Sequence, residues 1–299
     1  MIKLIQSQKI GRITANFAGD SRMKTDRDTL IITIYLIIHS ICSKLLHTPS
    51  QKQKLNDAEV ITIAICSALF FNSNHDKALF WLYQGHYFST MLSLSRFNRR
   101  IHKLKGFIEY CMEQLCTVFL TQQTFIQDSM PLPVCQRTRA SRNTKVRGRQ
   151  FCGYCAAKQQ KFFGFRLHLI TDITGVPVSV QLLPAAFHDL TPVLDISFPL
   201  PSGATILADK AYSCSPVEAA LRDFGISLTP LRKKNQKHQW TFSEKNFISK
   251  TRRQIETSFS ILSDVMGLNR LRARTLDGFF IKVYAAILAL IFHITLVIN

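Results

Sequence analysis

The sequence predicts an all-helical region followed by an α/β region with a mixed sheet flanked by helices, and three observations carry that prediction. From about Thr25 to Leu120, long apolar stretches recur at helical spacing with few strand signals. After Leu120 the apolar runs shorten and are bounded by turn residues, as strands are. Around Ile248 to Leu262 the helical period returns. With 299 residues, one large or two modest domains are expected, and we count two: 25–120 and 121–299, behind an N-terminal extension, 1–24, taken as flexible.

In the first region DAEVITIAICSALFF and FIEYCMEQLCTVFL are the clearest helices, and Pro49 is the only proline. LSLSRFNRRIHKL, Leu92 to Leu104, offers serine as a helix start, a narrow apolar stripe and a basic face of Arg96, Arg99, Arg100 and Lys103. That face suits a DNA-reading helix of helix-turn-helix type, and equally a solvated charged face. In the second region TFIQD, Thr124 to Asp128, reads as a strand ending at the breakers of SMPLP. FGFRLHLITD, turning through Ile173, Thr174 and Gly175 into VPVSVQLLP, reads as a hairpin, and ATILAD and ISLTPL follow as further strands. The connection from Ser129 to Gln160, about thirty residues, is longer than compact domains usually carry without a use for it. It holds Arg137, Arg139, Arg142, Lys145, Arg147, Arg149 and Lys158 and no acid, so something negative is expected against it.

Charge and cysteine usage bound the function. Lys and Arg number 38 against 19 Asp and Glu, a net charge of +19, and nucleic acid is the first polyanion to consider. LIITIYLII (30–38) is too short to span a bilayer, and VYAAILALIF (283–292) is bracketed by Lys282 and His293, so both are expected to be buried helices and no membrane partner is expected. The opening MIKLIQSQKIGRITANFAGD lacks the apolar core and cleavage site of a signal peptide, which points to the cytoplasm. The eight cysteines are then expected to be reduced. Only Cys152 and Cys155 have metal-like spacing, and a matching second pair for zinc is missing nearby.

Against this basic background three acids stand at element ends or edges: Asp128 closing the first strand, Asp209 closing ATILAD, and Glu256 in TRRQIETSFSIL. Ile248, Ile255, Phe259 and Leu262 share one helix face and Glu256 sits on its edge. By itself Glu256 would be a surface partner of Arg252, worth about 0.3–0.5 kcal/mol. If the first and fourth strands are neighbours and the helix crosses them, the three carboxylates converge, and mutual repulsion would raise their proton affinity unless a cation lay between them. Hard oxygen donors suit Mg²⁺ or Mn²⁺, and paired ions of that kind act on phosphodiesters.

Taken in order, FIQDSMPLPVC, LITDITGVPVSVQLLPAAFHD, ILADKAY and TRRQIETSFSIL resemble the catalytic domain of bacterial insertion-sequence DDE transposases, nearest to the insertion sequence 982 group, over roughly residues 25–295. The resemblance implies an RNase H-like fold, with Asp128, Asp209 and Glu256 as the metal-holding catalytic triad and Arg252 or Arg253 on DNA near the cut. It further implies a helical 25–120 region that binds double-stranded element ends, and homo-oligomers assembled on DNA. Related groups carry a tyrosine, arginine, glutamate and lysine signature; here Ser249 and Ser263 hold the tyrosine and lysine places, so only Arg252 and Glu256 match.

Several neighbours have plainer readings. Asp172 suits a hairpin turn, and His188-Asp189 a helix cap, with proximity to the site as the alternative. Lys210 and Tyr212 either face bound DNA or form strand-end surface. The expected activity is DNA cleavage followed by strand transfer. The alternatives are a nuclease or resolvase on the same scaffold, which a strand-transfer assay separates, and an inactive DNA-binding remnant of a mobile element.

Overall fold

Asn56 opens the most deeply buried helix of the N-terminal half: its side chain accepts from the Glu59 amide while the Glu59 carboxylate accepts from the Asn56 amide, a reciprocal cap. That helix, Asp57–Phe71, is apolar nearly all round, and such a helix must be surrounded by protein. In the computed structural model, which describes residues 26–44, 53–120, 122–155, 159–194 and 200–298, four other helices surround or extend it. They are α1 (Arg27–Lys44), α3 (His75–Gln84), α4 (Leu94–Lys103) and α5 (Lys105–Val118), with Asp57–Phe71 as α2. The extension 1–24, Pro49 and Lys158 lie outside the described residues.

The sheet has β1 (Thr124–Gln136), β2 (Cys152–Cys155), β3 (Gln160–Asp172), β4 (Pro177–Pro184), β5 (Thr205–Ala208) and β6 (Ser227–Pro230). β1 lies antiparallel to β3, and β4 and β2 follow one another along the other edge of β3. On its opposite side β1 pairs in parallel with β5, and β5 with β6. The expected hairpin is therefore present, and the first and fourth predicted strands are neighbours. The helices α6 (Thr191–Leu194), α7 (Ser215–Asp223), α8 (Phe242–Ser260) and α9 (Leu276–His293) complete the order.

One strand differs from expectation. The SMPLP segment does not end β1, which continues through Pro131 and Pro133 to Gln136. Past Gln127 the β5 edge of β1 is unpaired, and two prolines spaced by two turn the same edge outward; Pro131 sits within the regular β3 ladder, and the register shifts between Pro133 and Cys135 before pairing continues to Gln136. The long basic connection shrinks accordingly, to two 3-10 turns, Arg137–Arg142 and Arg149–Phe151, ahead of β2.

Apolar packing covers both sheet faces. Ile126, Met130, Leu132, Leu167 and Leu169 join one cluster with α2, α5 and α9, so the helical region and the sheet share a core through α9. Phe125, Ile170, Val178, Ile206 and Leu228 face the other side, against Val217 and Leu221 of α7. The stretch Leu276–Ile298 is long and apolar enough to cross a membrane, yet Val283 to Phe292 is buried within the protein, as are Leu30, Ile31, Ile34 and Ile38 of α1. All eight cysteines are free thiols.

Candidate active site

Strand parity places the acids. Asp128 is two residues past Ile126 and Asp209 two past Leu207, and Ile126 and Leu207 are partners in the parallel β1–β5 ladder. Both carboxylates therefore rise from adjacent strands, about 4.8 Å apart, on the same face. Helix α8 crosses that face. Its buried stripe is Ile248, Arg252, Ile255 and Ser258, and Ile248 packs on Leu207.

Arg252 joins the two acids. Its Nη2 donates to Asp128 Oδ2 at 3.0 Å, and its Nη1 lies 3.7 Å from Asp209 Oδ1. Asp128 Oδ1 also accepts from the Ser129 amide at 2.8 Å, and Asp209 Oδ1 accepts from the Lys210 amide at 2.6 Å, capping the turn Lys210–Tyr212. Burial raises the Asp128 pKa above its ordinary value, with Arg252 pulling against the shift and Asp209 adding to it.

Glu256 is one helical turn beyond Arg252, and its side chain is exposed. The expected surface pair between them does not form, because the Arg252 guanidinium is turned into the sheet. Among the described residues no three His, Cys, Asp or Glu side chains gather as a metal cluster. The structure thus brings Asp128 and Asp209 together and leaves Glu256 on the flank of the same helix. A guanidinium between two carboxylates marks a spot that favours positive charge, and carboxylate oxygens are hard donors, so the residues fit a divalent cation.

The register of α8 is fixed by the β3–β4 turn. Gln254 Nε2 donates to Thr174 O at 2.8 Å and Ser258 Oγ to Gly175 O at 2.9 Å. Asp172 holds that turn as expected, its Oδ1 accepting from the Thr174 amide, the Thr174 hydroxyl and the Val176 amide. Gly175 has φ +93°, and a Cβ there would stand 2.6 Å from Ser258 Oγ.

Behind Asp128, on the opposite sheet face, lies a polar group that the sequence reading underweighted. Ser129 Oγ donates to Asp189 Oδ1 at 2.8 Å, and Arg166 Nη1 is 3.6 Å from the same oxygen. Asp189 is therefore not a helix cap; the local turn uses His188, whose Nδ1 accepts from the Leu190 amide. His168, opposite Ser129 in the ladder, is buried with neither ring nitrogen bonded, and burial pushes its pKa down to about 4. Tyr212 is neither DNA-facing nor surface: it is 1% exposed in the second apolar cluster. Only Lys210 of that pair is exposed.

The remaining basic residues separate by environment. Arg137, Arg139, Arg142, Arg147 and Arg149 are exposed and Lys145 is half-buried, none of them with an acidic partner among the described residues. Arg253, Arg96 and Arg99 are exposed, but Arg100 is bound to Asp57 and Gln53 at the start of α2. Nine residues, Gly85 to Ser93, connect α3 to α4. Cys152 and Cys155, three apart on one strand, point to opposite faces.

A model of the transposase DDE domain matches residues 120–292. Over 102 residues the chain is 29% identical to the transposase for insertion sequence element IS1106 of Neisseria meningitidis serogroup B, a match covering 33% of this chain and 35% of that protein's length. The cryo-EM structure of the piggyBac transposase synaptic complex with hairpin DNA superposes with a TM-score of 0.50 over 91% of this chain and 73% of that one. At 13% identity that likeness establishes the fold, which is RNase H-like.

Proposed function

The chain belongs to the transposase DDE domain family, and from that premise we propose that it cuts DNA at the ends of an insertion sequence and joins the freed strand to a target. The observation that carries the reading is the shared guanidinium: Asp128 and Asp209, far apart in sequence, are neighbours around one cation on the face crossed by α8. The family implies a divalent metal. We take it to be Mg²⁺, with Mn²⁺ as a substitute, held by Asp128 and Asp209 and completed by Glu256; when bound, it polarises the phosphodiester and offsets its charge.

The chain's own residues bind and orient. Asp128 and Asp209, on two adjacent strands, would hold the cation that in turn would position the reacting phosphate. Arg252, once relieved of the carboxylates, is within reach of a DNA phosphate at the same spot, and Lys210 and Arg253 flank it. The arginines of 137–149, with Arg96 and Arg99, hold the backbone further out, where contacts position the duplex without reading its bases. Arg100 contributes to α2 packing instead. Double-stranded DNA is the partner, and homo-oligomers assemble on paired ends. Such an enzyme works in the bacterial cytoplasm, at the nucleoid.

The test uses Asp128→Asn, Asp209→Asn and Glu256→Gln, each keeping size while removing charge. Each should bind end DNA at parental affinity or slightly tighter, and none should nick or join it in Mg²⁺ or Mn²⁺. Near-parental nicking by a folded Glu256→Gln protein returns that residue to the surface. Nicking by all three removes the acid site from the reaction.

A further inference from the structure

The basic segment after β1 encloses an open hollow of about 500 Å³, lined by Arg137, Arg147 and Arg149 together with Ala140, Ser141, Cys152 and Phe163. The surrounding backbone is set by its own interactions. Asn143 Oδ1 accepts from the Lys145 and Val146 amides, Val146 is buried, and Phe151 packs edge-on against Phe163 and Phe165. Arg147 and Arg149 thus stand on an anchored excursion, Arg137 Nη1 donates across the hollow to Cys152 Sγ, and Ala140 and Cys152 line its base over a Phe163 that is only 3% exposed.

We propose that this hollow holds one unpaired nucleotide of a DNA strand, its phosphate among Arg137, Arg147 and Arg149 and its base against Ala140 and Cys152. The proposal rests on the transposase reading only in taking DNA as the ligand. A duplex presents convex rows of phosphate, for which a flat basic ridge suffices. A concavity of small-molecule size with an apolar floor gains from a base as well as a phosphate, and duplex bases are not accessible unless displaced. Charged rims with apolar or aromatic floors are how unpaired strands are held. The hollow is separate from the acids: Asp128 to Gln136 is eight residues of strand, roughly 26 Å. A nucleotide held there lies within about one duplex turn, some 10 base pairs, of the cut.

The test compares a perfect duplex with the same duplex carrying one extra, unpaired 2-aminopurine nucleotide, using the full chain. The parental protein should bind the bulged DNA about tenfold tighter and change the 2-aminopurine emission. Ser141→Leu and Ala140→Leu fill the hollow without altering charge; with melting temperatures unchanged, both should lose the preference and the emission change while keeping duplex affinity and its salt dependence. Arg147→Ala should weaken both DNAs. Equal parental affinity for the two DNAs, or a preference that survives Ser141→Leu, overturns the proposal while leaving the DNA reading intact. Failure to bind either DNA overturns both.

Discussion

At the scale of single residues, the site is a negotiation between burial and charge at Asp128. Burial raises its carboxyl pKa, so protons bind more tightly in the folded chain than in the unfolded one. For an acid shifted in that direction, stability is full below the ordinary carboxylate pKa and is lost as pH rises through the raised value. Ionised Asp128 is therefore a stability cost at neutral pH, kept tolerable by Arg252. In the absence of divalent metal, Asp128→Asn should melt about 2 °C higher than the parent at pH 7, and the difference should vanish near pH 3. A lower melting temperature at pH 7 would show that the pair with Arg252 outweighs burial. The place of Arg252 was itself legible. The 100° rule that sets Glu256 on the edge of the Ile248, Ile255 and Phe259 stripe sets Arg252 closer to its middle. Charge suggested an outward side chain, and only the facing carboxylates, which sequence does not pair, make the inward position stable. Asp189 was hidden for a similar reason, since His-Asp before a short helix reads as a cap until Ser129 is seen beneath it.

At the scale of elements, what matters is how α8 is held over two strand ends. Its hydrogen bonds to the β3–β4 turn come from Gln254 and Ser258, which bracket Glu256 and lie within two turns of Arg252. A shift of the helix would move both charged side chains together. Gly175→Ala combines a disfavoured φ with a clash at Ser258, each expected to cost on the order of 1 kcal/mol or more. The expected result is retained DNA binding with nicking reduced at least about tenfold, since small misplacements in such sites cost rate more than affinity. Gln254→Ala should do the same more mildly. Equal losses in binding and nicking would show that the turn supports the fold alone. The hairpin itself was readable from its alternation and its Asp-Ile-Thr-Gly turn. The length of β1 was not, because whether a proline breaks a strand depends on whether its edge has a partner, and that is tertiary information.

At the scale of the whole molecule, composition divides the chain near residue 120, but packing joins its parts through α9, which is buried against α2 and α5 while sharing a cluster with Leu132 and Phe165 of the sheet. Two buried histidines allow the joint to be tested. His75 at the start of α3 and His168 in β3 are both held near pKa 4 by burial, below the ordinary 6.5. A base depressed in this way stays neutral in the fold and charges more readily when unfolded, so its stabilising effect is present above pH 6.5 and is lost as pH falls toward 4. One of these histidines sits on each side of the compositional boundary. So do the two tryptophans, Trp81 in α3 and Trp240 ahead of α8. Acid unfolding followed in Trp81→Phe and Trp240→Phe chains should give coincident transitions between pH 6.5 and 4, because a shared core cannot lose one half without exposing the other. His168→Asn, placed in either background, should move both transitions to lower pH by the same amount, although it lies in the sheet and Trp81 does not. Two separate transitions, with His168→Asn moving only the one reported by Trp240, would make the boundary near residue 120 a true division between independently folding units.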